Sequence, residues 1–197
     1  PVTAVVTEIK YGDRDQEIHF DNGIIKRVEI SELDEFVNEQ KNSDNRLGVK
    51  RVVMKMPADF LKNGITLVDM PGVGSIHKNN TDVAYNFVRE SDAVIFMLSV
   101  DSPINQIEID FLKNARAKAA KFYFAINKID TITDTDLKIY MEYCQNLLKD
   151  LMQTEDINIF PISSITGEGI KELQSQMEYD IEHSLRDILE KSEKKKL

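Results

Sequence analysis

The chain has a single cysteine, Cys144, in 197 residues. It can form neither an intrachain disulfide nor a cysteine-based metal site, and such usage fits a reducing, cytosolic compartment. Three histidines, His19, His77 and His183, are scattered without ligand spacing. No apolar run approaches the roughly 20 residues that span a bilayer, and the first residues lack the pattern of a signal peptide. Cations are in deficit: 25 Lys and Arg stand against 34 Asp and Glu, for a net charge of −9 and a pI near 4.9. That balance argues against a large nucleic-acid footprint and against strong generic attraction to anionic lipid. The chain also opens without Met, at Pro1 and directly in a strand-like segment, as expected of a piece of a longer protein.

What is present suffices for one α/β domain. Hydrophobic residues make up 42% of the chain, enough for a core. The β-branched stretch Thr3 to Ile9 predicts a strand, and Tyr11-Gly12-Asp13 a turn. Alternation over Glu17 to Phe20 before Asp21-Asn22-Gly23 predicts a small hairpin. Ser31 is placed to cap a helix running to about Gln40, with Leu33, Phe36 and Val37 on one face. Val49 to Met56 mixes apolar residues with cations, as in a strand with one wet face. It is expected to pair antiparallel with the next strand, Ile65 to Val68. From Ile65 onward strands and helices alternate. Ala93–Val100 and Lys121–Asn127 are continuous apolar runs, hence buried strands, and Asn158–Ser163 is a shorter one. Helical spacing follows Thr81, covers Ile104–Ala119 and Thr135–Met152, and runs from Gly169 to about Glu190. The order predicts a mostly parallel sheet with helices on both faces, whose ligands sit off the C-terminal strand ends.

Three strand ends carry polar residues with a common chemistry. Leu67-Val68-Asp69-Met70-Pro71-Gly72 delivers one carboxylate, Asp69, and then turns. Such a carboxylate can hold a metal-bound water, and Gly72 can bring a bare N–H to a γ-phosphate. The second strand ends in Asn127-Lys128-Ile129-Asp130. Asp130 can accept both the N1–H and the N2–H₂ of guanine; adenine presents the opposite pattern and leaves buried polar groups unpaired. The Lys128 stem can lie across the base with its ammonium in water. Asn127 can tie neighbouring loops and approach N7. The third strand ends in Ser163-Ser164-Ile165-Thr166-Gly167, which offers hydroxyls and a backbone N–H for guanine O6. Asn127 to Asp130 alone would equally suit a turn with a helix cap. The order Asp69, Asn127, Ser163 at successive strand ends is what one guanine-nucleotide site requires.

These residues resemble the GTPase domain of dynamin-superfamily proteins, bacterial dynamin-like proteins in particular. The resemblance rests on Pro1-Val2-Thr3-Ala4-Val5-Val6-Thr7 with Tyr11-Gly12, on Leu67 to Gly74, on Asn127 to Asp130 and on Ser163 to Gly169, and it covers nearly the whole chain. It implies that Thr3 ends switch I, coordinates Mg²⁺ and senses the γ-phosphate, with Thr7 a competing, more structural candidate. It implies that Asp69 and Gly72 form switch II. It also implies a three-layer fold like that of the P-loop NTPases, with an antiparallel strand and helix insertion (residues 11–56) between the two switches. Residues 1–168 would be a G domain and 169–197 a C-terminal helix that can begin a helical stalk.

The chain departs from that pattern in one respect. No Gly-x-x-x-x-Gly-Lys-Ser/Thr occurs, so the first strand, the phosphate loop and its helix are absent from this sequence. By itself the chain is expected to hydrolyse GTP poorly or not at all. The absent strand is expected mid-sheet, beside the strands ending at Asp69 and Asn127. For the intact protein the resemblance implies GTP or GDP and Mg²⁺ as ligands, hydrolysis coupled to self-association through the nucleotide face, and membrane remodelling. Membrane contact would come only through regions outside this chain, from a cytoplasmic or peripheral location and with no nucleic-acid partner. The alternative is a non-hydrolysing GTPase-fold scaffold for protein interaction. A ribosome- or RNA-associated GTPase is a third reading, opposed by the net charge and the long insertion.

Overall fold

Strands near the N-terminus and strands near the C-terminus form separate sheets. The computed structural model describes residues 5–38, 40–70 and 78–185. It divides into two units, residues 1–84 and 85–197.

The first unit holds a five-stranded mixed sheet of β1 (Thr7–Tyr11), β2 (Asp15–Phe20), β3 (Ile25–Val28), β4 (Val49–Met56) and β5 (Leu67–Asp69), in the order β3-β2-β4-β1-β5. The predicted hairpin is β2–β3, turning where Gly23 takes φ 84° and the Asn22 side chain accepts from the Ile24 N–H at 3.0 Å. Strand β4 runs antiparallel to β2 and parallel to β1. The expected β4–β5 pairing does not form: β1 lies between them, antiparallel to β5. The opposed directions of β4 and β5 were legible, but a wet face does not say which strand is the neighbour. Val5, Ile18, Val28, Leu33, Val49 and Val52 form the core, flanked by Phe20, Phe36, Val37 and Met54.

The helix predicted from Ser31 is shorter than its apolar spacing suggests. A 3₁₀ turn at Ile30–Glu32 leads to α1 (Asp34–Val37). Asparagine side chains then take the backbone partners that a longer helix would use. Asn42, fully buried, donates to the Phe36 carbonyl at 2.7 Å, and Asn38 accepts from the Gln40 N–H at 2.9 Å.

The second unit holds β6 (Val94–Ser99), β7 (Phe122–Asn127) and β8 (Ile159–Pro161), all parallel, in the order β6-β7-β8. With α2 (Lys78–Glu90), which spans the boundary of the units, come α3 (Gln106–Ala115), α4 (Asp134–Met152) and α5 (Ile170–Asp180). Both faces of β7 are covered: Tyr123, Phe124, Ala125 and Ile126 are at most 1% exposed, and successive side chains point to opposite faces. On one face Phe124 meets Phe96, which stacks on Phe111 of α3. On the other the Tyr123 hydroxyl donates to Asp180 of α5 at 2.7 Å. Asn105 caps α3 with a reciprocal Glu108 contact, and Thr133 caps α4. The last helix leaves α geometry at Ile181–Leu185, a π turn, and its predicted continuation to Glu190 lies outside the described residues.

The topology also revises where an additional strand would fit. Strand β7 has partners on both sides, so its Asn127 end offers no free edge. Among the described residues the strands with one unpaired edge are β3 and β5 in the first sheet and β6 and β8 in the second.

Candidate functional site

Parallel pairing sets the strand ends of the second unit in line. Ser99 of β6 is in register with Asn127 of β7, and Ile126 with Pro161 of β8. The chain must turn away at each of these points, and the polar residues gather there.

At the end of β7, Lys128 adopts the left-handed conformation with φ 68°. A non-glycine residue there costs on the order of 1 kcal/mol, and such residues cluster at functional sites. The kink lets the Asn127 side-chain oxygen accept from two backbone N–H groups, Lys128 at 2.8 Å and Ser164 at 3.0 Å. Asn127 thereby ties the loop after β7 to the loop after β8. The two bonds fix its amide orientation and leave the NH₂ end for a ligand acceptor such as a purine N7.

Ser163 is fully buried at the end of β8. Its hydroxyl donates to Asp130 at 2.6 Å and accepts from the Thr166 N–H at 3.1 Å. One oxygen of the exposed Asp130 carboxylate is thus held by a rigid partner. A carboxylate aimed in this way suits the adjacent N1–H and N2–H₂ donors of guanine. Thr131 returns its hydroxyl to the Lys128 carbonyl at 2.8 Å, closing the turn. The Ser163–Gly167 loop is drawn tight by two backbone bonds of 2.9 Å, Ser163 N–H to Glu168 and Gly167 N–H to Ser163. Ser164 is exposed, and Ile165 is 84% exposed.

The structure therefore brings Asn127, Lys128, Asp130, Ser163 and Ser164 together. Asp69 belongs to the first unit, where it ends β5 opposite Thr7 of β1. More than a third of Asp69 is open to solvent, yet the protein around the carboxyl desolvates it and raises its pKa. A nearby cation would reverse that shift. A lone carboxylate suits Mg²⁺, which takes one or two carboxylates together with phosphate oxygens. Among the described residues no cluster of three or more His, Cys, Asp or Glu could hold a metal without a ligand's help. Thr7 is buried mid-sheet between Val52 and Asp69. Thr3 and Gly72, expected to bear on Mg²⁺ and phosphate, lie outside the described residues.

Sequence reasoning passed over the end of β6. Ser99 closes that strand, and its hydroxyl donates to Asp101 at 2.5 Å, while Asp101 pairs with the Lys128 ammonium at 2.6 Å. The rule that ligands gather off strand ends would have pointed there, but no motif marks Asp101.

A family model described as the dynamin family matches residues 1–130. An uncharacterized protein from the xynA 3′ region of Caldicellulosiruptor sp. is 36% identical over 193 residues, 97% of this chain and 47% of its own length. Dynamin-like protein 1 of Campylobacter jejuni is 28% identical over 141 residues, 71% of this chain and 19% of its own. A solved bacterial dynamin pair, described as a mechanism for long-range sensing and tethering of membranes, superposes with a TM-score of 0.69 at 18% identity. The match covers 93% of this chain and 35% of that one. The chain thus spans about half or less of the relatives it matches.

Proposed function

Because this chain belongs to the dynamin family, matched over residues 1–130, we propose that it is the guanine-nucleotide-binding part of a dynamin-like GTPase. The observation that carries the reading is the Asn127–Lys128–Asp130 turn locked to Ser163 and Ser164. A buried hydroxyl orients the carboxylate, and one amide braces both loops. A plain turn with a helix cap would need neither bond.

In this reading Asp130 accepts from the N1–H and N2–H₂ of guanine and the Asn127 NH₂ approaches N7. O6 falls to the exposed Ser164 hydroxyl, because the Ser163 and Ser164 N–H groups expected there already donate to Glu168 and Asn127. Asp69 holds a Mg²⁺-bound water from the end of β5. Thr3 and Gly72 sense the γ-phosphate. Bound Mg²⁺ would supply charge neutralisation between the β- and γ-phosphates. The cradle for those phosphates is not among the 197 residues, so turnover by this chain alone is expected to be very weak or nil.

In the intact protein, hydrolysis is coupled to association through the nucleotide face and to membrane remodelling. The bacterial dynamin pair, which shares the fold, is the support for that step. Membrane contact is assigned to regions outside this chain; among the described residues no helix is long and apolar enough to cross a membrane. Residues 169–197 serve as the start of a stalk rooted by α5, whose Leu173, Met177 and Asp180 are buried.

GTP turnover by the protein, expressed with the coding sequence on both sides of this chain, tests the reading. Asp69→Ala is expected to lower kcat by roughly 100-fold or more while GDP affinity changes by less than about tenfold, since a metal-water ligand acts mainly in the transition state. Mg²⁺-dependent turnover that survives Asp69→Ala would remove Asp69 from the site. GDP binding without any turnover would favour a non-hydrolysing scaffold.

A further inference from the structure

We propose that Asp101 is a positioning residue for the guanine nucleotide: it pins the ammonium of Lys128 so that the lysine stem is pre-set as a rail for the base. The inference rests on the guanine reading above and extends it to a residue that no nucleotide-binding motif contains. Three contacts carry it. The Lys128 ammonium lies 2.6 Å from one oxygen of Asp101. The other oxygen of Asp101 accepts from the Ser99 hydroxyl at 2.5 Å. The carbonyl of Ser99 accepts from the Tyr140 hydroxyl of α4 at 3.0 Å. The anchor therefore runs from the lysine through Asp101 and the end of β6 to a helix.

The backbone at both ends of this chain of contacts is also fixed. Ser99 stands opposite Asn127 in the parallel ladder, and the Val100 N–H donates to the Asn127 carbonyl at 3.3 Å. The Ser102 N–H returns to the Ser99 carbonyl, also at 3.3 Å, which closes a turn around Asp101. Lys128 leaves the strand in the left-handed conformation, so the direction in which its side chain sets out is set too. An unpinned lysine carries much rotamer freedom, which is lost when a base packs on its stem. Holding the ammonium in the ligand-free protein removes part of that loss from the binding step. The partnership also holds the Asp101 carboxyl below the usual carboxylate range, through the Lys128 bond first and the Ser99 bond second.

A merely structural ion pair predicts something different. Lys128 and Asp101 are 47% and 52% exposed, and such pairs contribute little to stability. Removing Asp101 should thus leave unfolding where it is and move nucleotide affinity. In the protein expressed with its flanking coding sequence, Asp101→Ala is expected to weaken Mg²⁺-GDP binding about fivefold, as for one side chain newly immobilised on binding. The melting temperature should be unchanged and the preference for guanine over xanthine kept. Lys128→Met provides the second arm. In that background Asp101→Ala should change GDP affinity by less than about twofold, because the group it positions is gone.

Wild-type affinity in Asp101→Ala, or the same loss in both backgrounds, would overturn the proposal. If the loss comes with a lowered melting temperature, Asp101 is structural and the proposal also fails. Asp130→Asn separates the two levels of argument. Guanine preference unchanged by that substitution would sink the base-reading assignment and this inference with it. Guanine preference lost there, with Asp101→Ala silent, would sink this inference alone.

Discussion

Asp130→Asn should lower affinity for GDP about 1,000-fold and raise affinity for xanthosine diphosphate. In the proposed reading the carboxylate accepts two hydrogen bonds from guanine, each charge-assisted and worth roughly 1.5–3 kcal/mol. Asparagine keeps one acceptor but turns its NH₂ toward the guanine N2–H₂, donor against donor. The combined loss is on the order of 4 kcal/mol, or three decades of affinity. Xanthine carries a carbonyl where guanine carries that amine, so the asparagine NH₂ finds an acceptor. The scaffold should survive, because the amide oxygen can still accept from the Ser163 hydroxyl, now 2.6 Å from Asp130. Competition of the two nucleotides against a fluorescent GDP analogue reads both effects. Equal loss of both would mean that the substitution disturbs the loop instead of its specificity.

Gly169→Ala should be the most damaging single-methyl change in the second unit. Gly169 precedes α5 with φ 72°, and a Cβ built on it would stand 1.9 Å from the Pro161 carbonyl oxygen and 3.2 Å from the Ile162 Cα. Both neighbours are backbone at the end of β8, so neither can rotate away. Either α5 shifts outward or the β8 end moves, and with it Ser163, which orients Asp130. The expected cost is roughly 3–5 kcal/mol, a large part of an ordinary domain's stability. Gly167→Ala is the control. It too has positive φ, 82°, but nothing lies within 4 Å of the added carbon, so the conformational cost of about 1 kcal/mol should stand alone. Chemical denaturation of the two variants side by side tests this. Equal destabilisation would mean that the α5 start is not packed against β8 as described.

Those two positions also show how far sequence carries the account. The turn at Asn127 to Asp130 was legible because four adjacent residues specify it, and local turns need no long-range knowledge. The order of strands and helices after Ile65 was legible from long apolar runs, but their burial was not. Of the two runs read as buried strands only β7 is covered on both faces, whereas β6 stands at the edge of its sheet with Met97 47% exposed. Neighbour relations were not. A strand's side-chain pattern states which face is wet and is silent about which edge meets which strand. β1 therefore came between β4 and β5 unannounced, and an added strand was expected beside β7 where β6 and β8 already pair. Asp101 was invisible for a similar reason. It lies 27 residues before Lys128, and only the parallel ladder of β6 and β7 brings the two together. Helix α1 was overestimated because apolar spacing gave Leu33, Phe36 and Val37 one face. Asn38 and Asn42, whose side chains displace the helical hydrogen bonds, carry no periodic signal.

The second unit's site and the first unit's Asp69 stand on different footing. Asn127, Asp130, Ser163 and Ser164 belong to a closed set of contacts with distances from 2.6 to 3.1 Å. Asp69 contributes one desolvated carboxyl at a strand end. The claim that decides the rest is therefore recognition of guanine.

Calorimetric titration of the protein, expressed with its flanking coding sequence, with Mg²⁺-GDP and then with Mg²⁺-ADP is the most direct measurement of that claim. The account predicts saturable binding of GDP and affinity for ADP lower by at least about 1,000-fold, because adenine would leave the Asp130 carboxylate facing an acceptor, N1, and a C–H. Binding of ADP within about tenfold of GDP, or binding of neither, would contradict it.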